Sequence, residues 1–368
     1  MERQVSQKVF QASVTYEPFH SEIREFSVPA IARDSGFLRV EAAGVCGSDI
    51  NAHSEPAPER ILGHENVGII EQLGAEAADR WGLEVGDRVV VEEYLPCGRC
   101  GTCRTTDFRF CFESDPSEGG IRYGSTGISI DPGLWGGFSQ YMYLHPRSVL
   151  HRAPLGVSAE YLTLALPLGN GFEWACIEGR SGPGKTVVIY GPGQQGLASV
   201  YAAKKAGADM VVLLGTSRDS HRLSAGLALG ADVVVNVDGE DPVSVVRGLT
   251  RGAMADLVID TARGDAGTLS GGIAMLKQRG ALLYATAQVQ VAELPLSDAQ
   301  WKTLTLKGVR GHSYAAVEWA IGQIESNHEL LSVLSTGSFG LNDVDTAIRA
   351  TAGETDLKSI HVSILPWS

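Results

Sequence analysis

The segment that most restricts the fold is Gly191-Pro192-Gly193-Gln194-Gln195-Gly196, because of what flanks it. The apolar run 185–190 reads as a strand before it, and 195–206 reads as a helix after it. The alternation then continues. Strands are expected at 209–214, 233–236, 256–260 and 281–285, and helices at 221–229 and from Asp241-Pro242 to Leu249. Strands separated by helices of this length build βαβ units, and hence a parallel sheet covered on both faces. In such a turn Gly191 permits the tight bend, Gly193 lets the backbone approach a pyrophosphate, and Gly196 lets helix and strand pack closely. The free N–H groups at the start of the helix, where Gln194 and Gln195 lie, face the anion. A G-x-G-x-x-G alone is weak in a chain with 44 glycines, but strand before and helix after make it a dinucleotide site.

The tip of the next strand selects the dinucleotide. An acid there would bind the ribose 2′-OH and repel a 2′-phosphate. Here the tract is Gly215-Thr216-Ser217-Arg218, with no acid before Asp219. Gly215 leaves room, Thr216 and Ser217 offer hydrogen bonds, and Arg218 can pair with phosphate, so NADP(H) is preferred over NAD(H). The competing reading is an exposed loop from which Asp219 reaches the ribose.

Up to about residue 153 the texture is different. Short apolar runs such as 37–40, 67–70 and 88–91 alternate with Gly, Pro and Asp turns, which describes an irregular β-rich domain. A helix with Ser158 as N-cap, running to about 176, opens the second domain. From about 301 the pattern turns mixed again, with a helix around 317–325 and a late strand at 360–364. The expected division is a β-rich domain at 1–153 completed by 300–368, and a nucleotide-binding domain at 154–299. A chain of 368 residues with net charge −13 and no Lys/Arg cluster is a poor ligand for nucleic acid. Its apolar runs are far too short to span a membrane, and Met1-Glu2-Arg3-Gln4 leads into no signal-like core, so a cytoplasmic location is expected.

Four of the six cysteines, Cys97, Cys100, Cys103 and Cys111, fall in the spacing C-x2-C-x2-C-x7-C. In a reducing compartment such a cluster reads as metal before disulfide, and four thiolates converge on a tetrahedral, closed zinc of architectural role. An iron–sulfur cluster is the chemical alternative. Gly98 and Gly101 supply the turns.

A second constellation lies earlier: Gly44-Val45-Cys46-Gly47-Ser48-Asp49, then Gly63-His64-Glu65, with Gly68, Gly74 and Ala77 beyond. The signature G-H-E-x2-G-x5-G-x2-A is complete from Gly63 to Ala77. With the Cys46 loop, the four-cysteine lobe and the glycine turn all in order, the chain resembles the zinc-dependent medium-chain alcohol dehydrogenases over its whole length, nearest the sorbitol and threonine dehydrogenase branch. The resemblance implies an α/β fold with a GroES-like β-rich catalytic domain and a Rossmann doubly wound domain. It implies a small alcohol or carbonyl substrate and a homodimer or homotetramer. Cys46 and His64 match catalytic zinc ligands, and Glu65 matches an acid that binds or swings onto the metal. Ser48 matches the hydroxyl that bonds the substrate oxygen, and Asp49 the acid that orients the zinc histidine.

Two positions depart from the family pattern. Leu166 stands where the family places a further ligand, and Glu173, about 10 Å further along a helix, is a poor substitute. Cys176, further still, reads as packing. Asn51 replaces the histidine that passes the proton to solvent in many members, and His53 is a neighbour expected at the surface. Two metal readings therefore stand. Zinc sits on Cys46, His64 and Glu65 with an open fourth position, or the site is empty. The first implies reversible hydride transfer between an alcohol, preferably secondary, and its ketone or aldehyde. The second implies a zinc-independent reductase of enones or quinones. A nucleotide-binding protein without turnover is the reading from outside enzymology.

Overall fold

The computed structural model describes residues 9–55, 58–105, 107–263, 266–285 and 293–368, so Met1 to Gln4 lie outside it. Its strands, in chain order, begin with β1 (Val9–Glu17), β2 (His20–Ser27), β3 (Gly36–Gly44), β4 (Arg60–Ile61), β5 (Glu65–Leu73), β6 (Arg88–Val91), β7 (Tyr141–Leu144) and β8 (Leu150–Arg152). The middle of the chain carries β9 (Thr186–Tyr190), β10 (Met210–Gly215), β11 (Val233–Asn236), β12 (Ala255–Asp260), β13 (Leu276–Tyr284) and β14 (Thr305–Gly308). β15 (Ser335–Phe339) and β16 (His361–Ile364) come last. Two compact units result: Met1–Ala165 with Ile321–His328 and Ser335–Ser368, and Leu166–Ala320 with Glu329–Leu334.

The first unit is built on a sheet ordered β15-β16-β3-β5-β6-β8, with β7 also pairing β3, and on a smaller sheet β2-β1-β4. β3 lies within the larger sheet and is buried almost throughout, which its run of Phe37, Leu38, Val40, Ala42 and Ala43 allows. Phe37 stacks on Tyr141 with ring centroids 5.0 Å apart, and Phe10 meets both edge-on. Each such buried side chain contributes about 1.5–3 kcal/mol relative to exposure. The C-terminal strand β16 pairs antiparallel with β3, and Trp367 donates its indole N–H to the Val40 carbonyl, 2.8 Å away. The last residues of the chain thereby complete the sheet of the first.

The second unit holds a parallel sheet ordered β11-β10-β9-β12-β13-β14. The chain starts at β9, winds outward through β10 and β11, then returns to β12 on the other side. The strand order therefore reverses between β9 and β12, and their carboxyl ends form the crevice where ligands bind in such sheets. The helix Pro242–Leu249 starts as its sequence requires: Pro242 occupies the first turn and the Asp241 carboxylate accepts the N–H groups of Val243 and Ser244.

The units divide at 165/166 and 320/321, against the 153/154 and 299/300 expected from the sequence. Residues 154–165 stay with the first unit because Thr163 Oγ1 bonds Ser363 Oγ on β16, 3.1 Å away. Residues 300–320 stay with the second because β14 extends its sheet. The expected helix 158–176 is three pieces: Ala159–Leu162, Ala165–Phe172 and a π-helical turn Glu173–Glu178. Ser158 precedes the first piece but its hydroxyl donates to Glu160 instead of capping the backbone, and Thr163 Oγ1 ends that piece on the Glu160 carbonyl. Among the described residues, no helix is long and apolar enough to cross a membrane.

Candidate metal and nucleotide sites

The register of the first unit brings the Cys46 loop onto the start of β5. Gly44, at the end of β3, pairs with Glu65, so Cys46 and His64 flank that pair. Cys46 leads into the helix Gly47–Ser54, which carries Ser48 and Asp49. The ligand atoms of Cys46, His64 and Glu65 all lie within 4.8 Å of one another. Asp49 is buried and uses both carboxylate oxygens. Oδ2 accepts the Cys46 backbone N–H at 2.8 Å, and Oδ1 stands 3.3 Å from His64 Nδ1. One acid thus fixes the loop carrying the thiol and turns the imidazole so that Nε2 faces the cluster. Ser48 Oγ stands 3.4 Å from that Nε2.

Burial pushes the Cys46 thiol up, and the charge of Glu65 adds to it. Burial pulls His64 down, but Asp49 and Cys46 together outweigh it and leave the ring well above the ordinary histidine range. Ligands about 2.0–2.3 Å from a tetrahedral zinc stand about 3.3–3.8 Å apart, a spacing that falls inside the 4.8 Å bound on these donors. A soft thiol, an imidazole held by a carboxylate and a carboxylate ligand, all buried or half-buried, fit zinc.

The structure adds a residue that sequence reasoning missed. His361, at the start of β16, has Nε2 2.9 Å from Glu65 Oε2. The two lie 296 residues apart, and only the β5-β3-β16 pairing brings them together. His53 requires a correction. It is buried, not at the surface, and pairs with Asp345 at 2.9 Å. Burial raises the Asp345 carboxyl, but the hydrogen bonds from His53 and Ser21 prevail and hold it below the usual range.

In the second unit, Leu166 is buried and offers no donor. The Glu173 carboxylate accepts both N–H and O–H of Ser313, at 3.1 and 2.6 Å, and is committed there. Cys176 is half-buried against the Ala202 carbonyl and Ser181.

Cys97, Cys100, Cys103 and Cys111 also have their sulfurs within 4.8 Å of one another, and none of the six cysteines is bridged. Cys97 and Cys103 sulfurs are 4.0 Å apart, close to the edge of a zinc–thiolate tetrahedron. The Thr102 hydroxyl and the Cys103 N–H lower the Cys100 thiol to about 6, which favours its thiolate, the form that binds metal.

At the glycine turn, Gly191 has φ +89°, a conformation an L side chain rarely adopts, and a Cβ on Gly196 would fall 1.9 Å from the Gly191 carbonyl. Gly193 caps the helix Gln194–Lys205, with open space where its side chain would be. Beyond β10, Asp219 Oδ2 accepts the N–H and O–H of Thr216 at 3.0 and 2.7 Å. Asp238 accepts the Ser217 N–H, and Arg218 is exposed.

A zinc-type donor set in one unit and a dinucleotide crevice in the other define a metal- and nucleotide-using oxidoreductase. The profile "Alcohol dehydrogenase GroES-like domain" matches residues 33–154, and "Zinc-binding dehydrogenase" matches 196–326. A Mycobacterium tuberculosis protein named "Probable alcohol dehydrogenase" is 32% identical over 97% of this chain and 99% of its own. The erythritol/L-threitol dehydrogenase of Mycolicibacterium smegmatis is 28% identical over the full length of both chains. The crystal structure of an alcohol dehydrogenase from Thermotoga maritima superposes with a TM-score of 0.83, at 25% identity, over 98% of this chain and 100% of that one. The chain belongs to the zinc-dependent medium-chain alcohol dehydrogenase family. It is an oxidoreductase of CH–OH donors that interconverts alcohols and carbonyl compounds.

Proposed function

We propose that the chain oxidises a small secondary alcohol to its ketone, and the reverse, with NADP(H), at a zinc held by Cys46, His64 and Glu65. The convergence of those three donors over Asp49 carries the reading. Zinc there supplies Lewis acidity toward the alcohol or carbonyl oxygen, and the nicotinamide supplies or accepts the hydride. The protein's part is orientation and proton handling. Asp49 holds His64 and the Cys46 loop together. Ser48, whose Oγ already reaches the histidine ring, is the hydroxyl placed to bond the substrate oxygen and pass its proton on. With Asn51 on the same helix unable to titrate near neutral pH, the proton leaves by another route. Cys97, Cys100, Cys103 and Cys111 hold a second, closed zinc that shapes their lobe. Elemental analysis of purified protein is expected to find two zincs per chain. A count of one, lost only when the four-cysteine set is mutated, refutes the catalytic metal.

Gly191, Gly193, Gln194, Gln195 and Gly196 are the pyrophosphate cradle in this reading. The preference for NADP(H) rests on the loop after β10. Gly215 leaves the strand tip without a carboxylate, Asp219 is bound to Thr216 and not presented to a ribose, and exposed Arg218 is free to pair with a 2′-phosphate along with Thr216 and Ser217. Comparing kcat/KM with NADPH and NADH on the same alcohol is expected to favour NADPH, and a strong NADH preference overturns this account. β14, four exposed residues at one edge of the parallel sheet, follows the exposed Trp301 in the chain, a surface that suits pairing with a second copy. Light scattering is expected to give a dimer or a multiple of it, and a monomer at micromolar concentration contradicts it.

A further inference from the structure

The geometry assigns to His361 the role of positioning residue for Glu65, the carboxylate that stands with Cys46 and His64 in the candidate metal site; this rests on the metal reading above. Three observations support it. Both side chains are in the interior, His361 at 0% and Glu65 at 2% exposure, and their contact is 2.9 Å. A carboxylate can only accept, so Nε2 carries the proton and donates it to Glu65 Oε2. A buried carboxylate without such a donor is costly, and two buried groups this close hold each other in one orientation.

The second observation is that the backbone makes room for the pair. Gly44 lies in register with Glu65 on β5 and with Ser363 on β16, so the two partners meet across it. A Cβ on Gly44 would fall 2.3 Å from Glu65 Oε2 and 2.6 Å from His361 Nε2. Glycine here leaves the space in which the pair forms.

The third observation is an unsatisfied atom. His361 Nδ1 is buried with no hydrogen-bond partner. A leucine or phenylalanine at this buried strand position would avoid that cost, of about 1–3 kcal/mol. Imidazole is kept despite it, and the contact its other nitrogen makes is with Glu65. A histidine chosen for packing has no need of that donor. Because Glu65 stands among the metal-binding atoms, fixing its carboxylate fixes the geometry offered to zinc, as outer partners of metal ligands do.

The test uses the zinc-loaded enzyme and chelators of graded strength, with release of the four-cysteine zinc as internal reference. His361→Leu is expected to weaken the Cys46 zinc roughly 10–100-fold and leave the reference zinc unchanged. It should also shift the visible bands of protein exchanged with cobalt at that site. His361→Gln, which keeps an N–H donor, should recover most of the affinity. Glu65→Gln should abolish the effect of His361→Leu, since a residue acting through Glu65 loses its influence when that carboxylate is gone. A purely packing role gives additive losses and an unshifted cobalt spectrum. If leucine is not tolerated, His361→Asn, too short to reach Glu65, replaces it in the same cycle. A folded His361→Leu or His361→Asn protein with unchanged zinc affinity and cobalt bands overturns the assignment and leaves the metal reading intact. A wild-type protein with no second zinc ends both.

Discussion

Replacing Cys46 with serine, or His64 with alanine, is expected to remove one of two zincs and lower kcat/KM for alcohol oxidation by about 10³-fold or more. Lewis-acid stabilisation by a bound metal is worth several kcal/mol, and each 1.36 kcal/mol is a factor of ten in rate. The change should fall on turnover and leave nicotinamide-nucleotide affinity as it was, because the glycine turn belongs to the other unit. Asp49→Asn should fall between these variants and wild type. It keeps an oxygen for one of the two contacts that Asp49 now makes, and it loses the charge that holds the imidazole. The decisive measurement is steady-state kinetics paired with metal content on the same preparations. A Cys46→Ser enzyme that turns over at the wild-type rate with one zinc would show that the carbonyl is activated by something else, and the Lewis-acid account would fall.

The second large effect concerns stability. Cys97→Ser or Cys100→Ser is expected to abolish the closed zinc, worth about 10–16 kcal/mol of binding free energy in sites of this kind. Among its described residues, much of the lobe from Cys97 to Glu118 is short helical turns, the helix Gly101–Arg104 and three 3-10 turns, with no strand. Phe110 and Phe112 within it are exposed, so it has little apolar interior of its own. A metal on these four thiolates would supply order that packing does not. Loss of it should appear as a lower melting temperature and as selective proteolysis between 97 and 118. The Cys46 zinc should remain measurable in whatever fraction stays folded. A variant that melts at the wild-type temperature would mean that the four thiols hold no structural ion, and a brown protein with an absorbance near 400 nm would mean that they hold iron and sulfide.

Some of this was open to reading from residues alone, and the reasons are local. The glycine turn is legible because each glycine answers a constraint within six residues, and the alternation of strand and helix around it is a matter of near-neighbour periodicity. The four-cysteine cluster is legible because its ligands come from one stretch of 15 residues, 97 to 111. Asp241-Pro242 is legible as a helix start because capping is a contact between neighbours. The broken helix after Ser158 was not, since its end depends on Thr163 bonding back to Glu160 and across to Ser363. His53 was misplaced at the surface for the same reason: its partner, Asp345, is 292 residues away.

What the sequence by itself determined is the set of parts: a parallel Rossmann-type sheet, a lobe of four clustered cysteines, and a Cys, His and Glu bearing the family's signature. These follow from contacts between residues close in the chain, where spacing and chemistry are enough. Only the tertiary structure decided which distant groups meet: His53 paired with Asp345, Glu173 given to Ser313, and Glu65 held by His361 across Gly44. The physical reason is that strand register is set by burial over the whole sheet, so the partner of a buried polar group is a property of the packed fold and not of its neighbours in sequence.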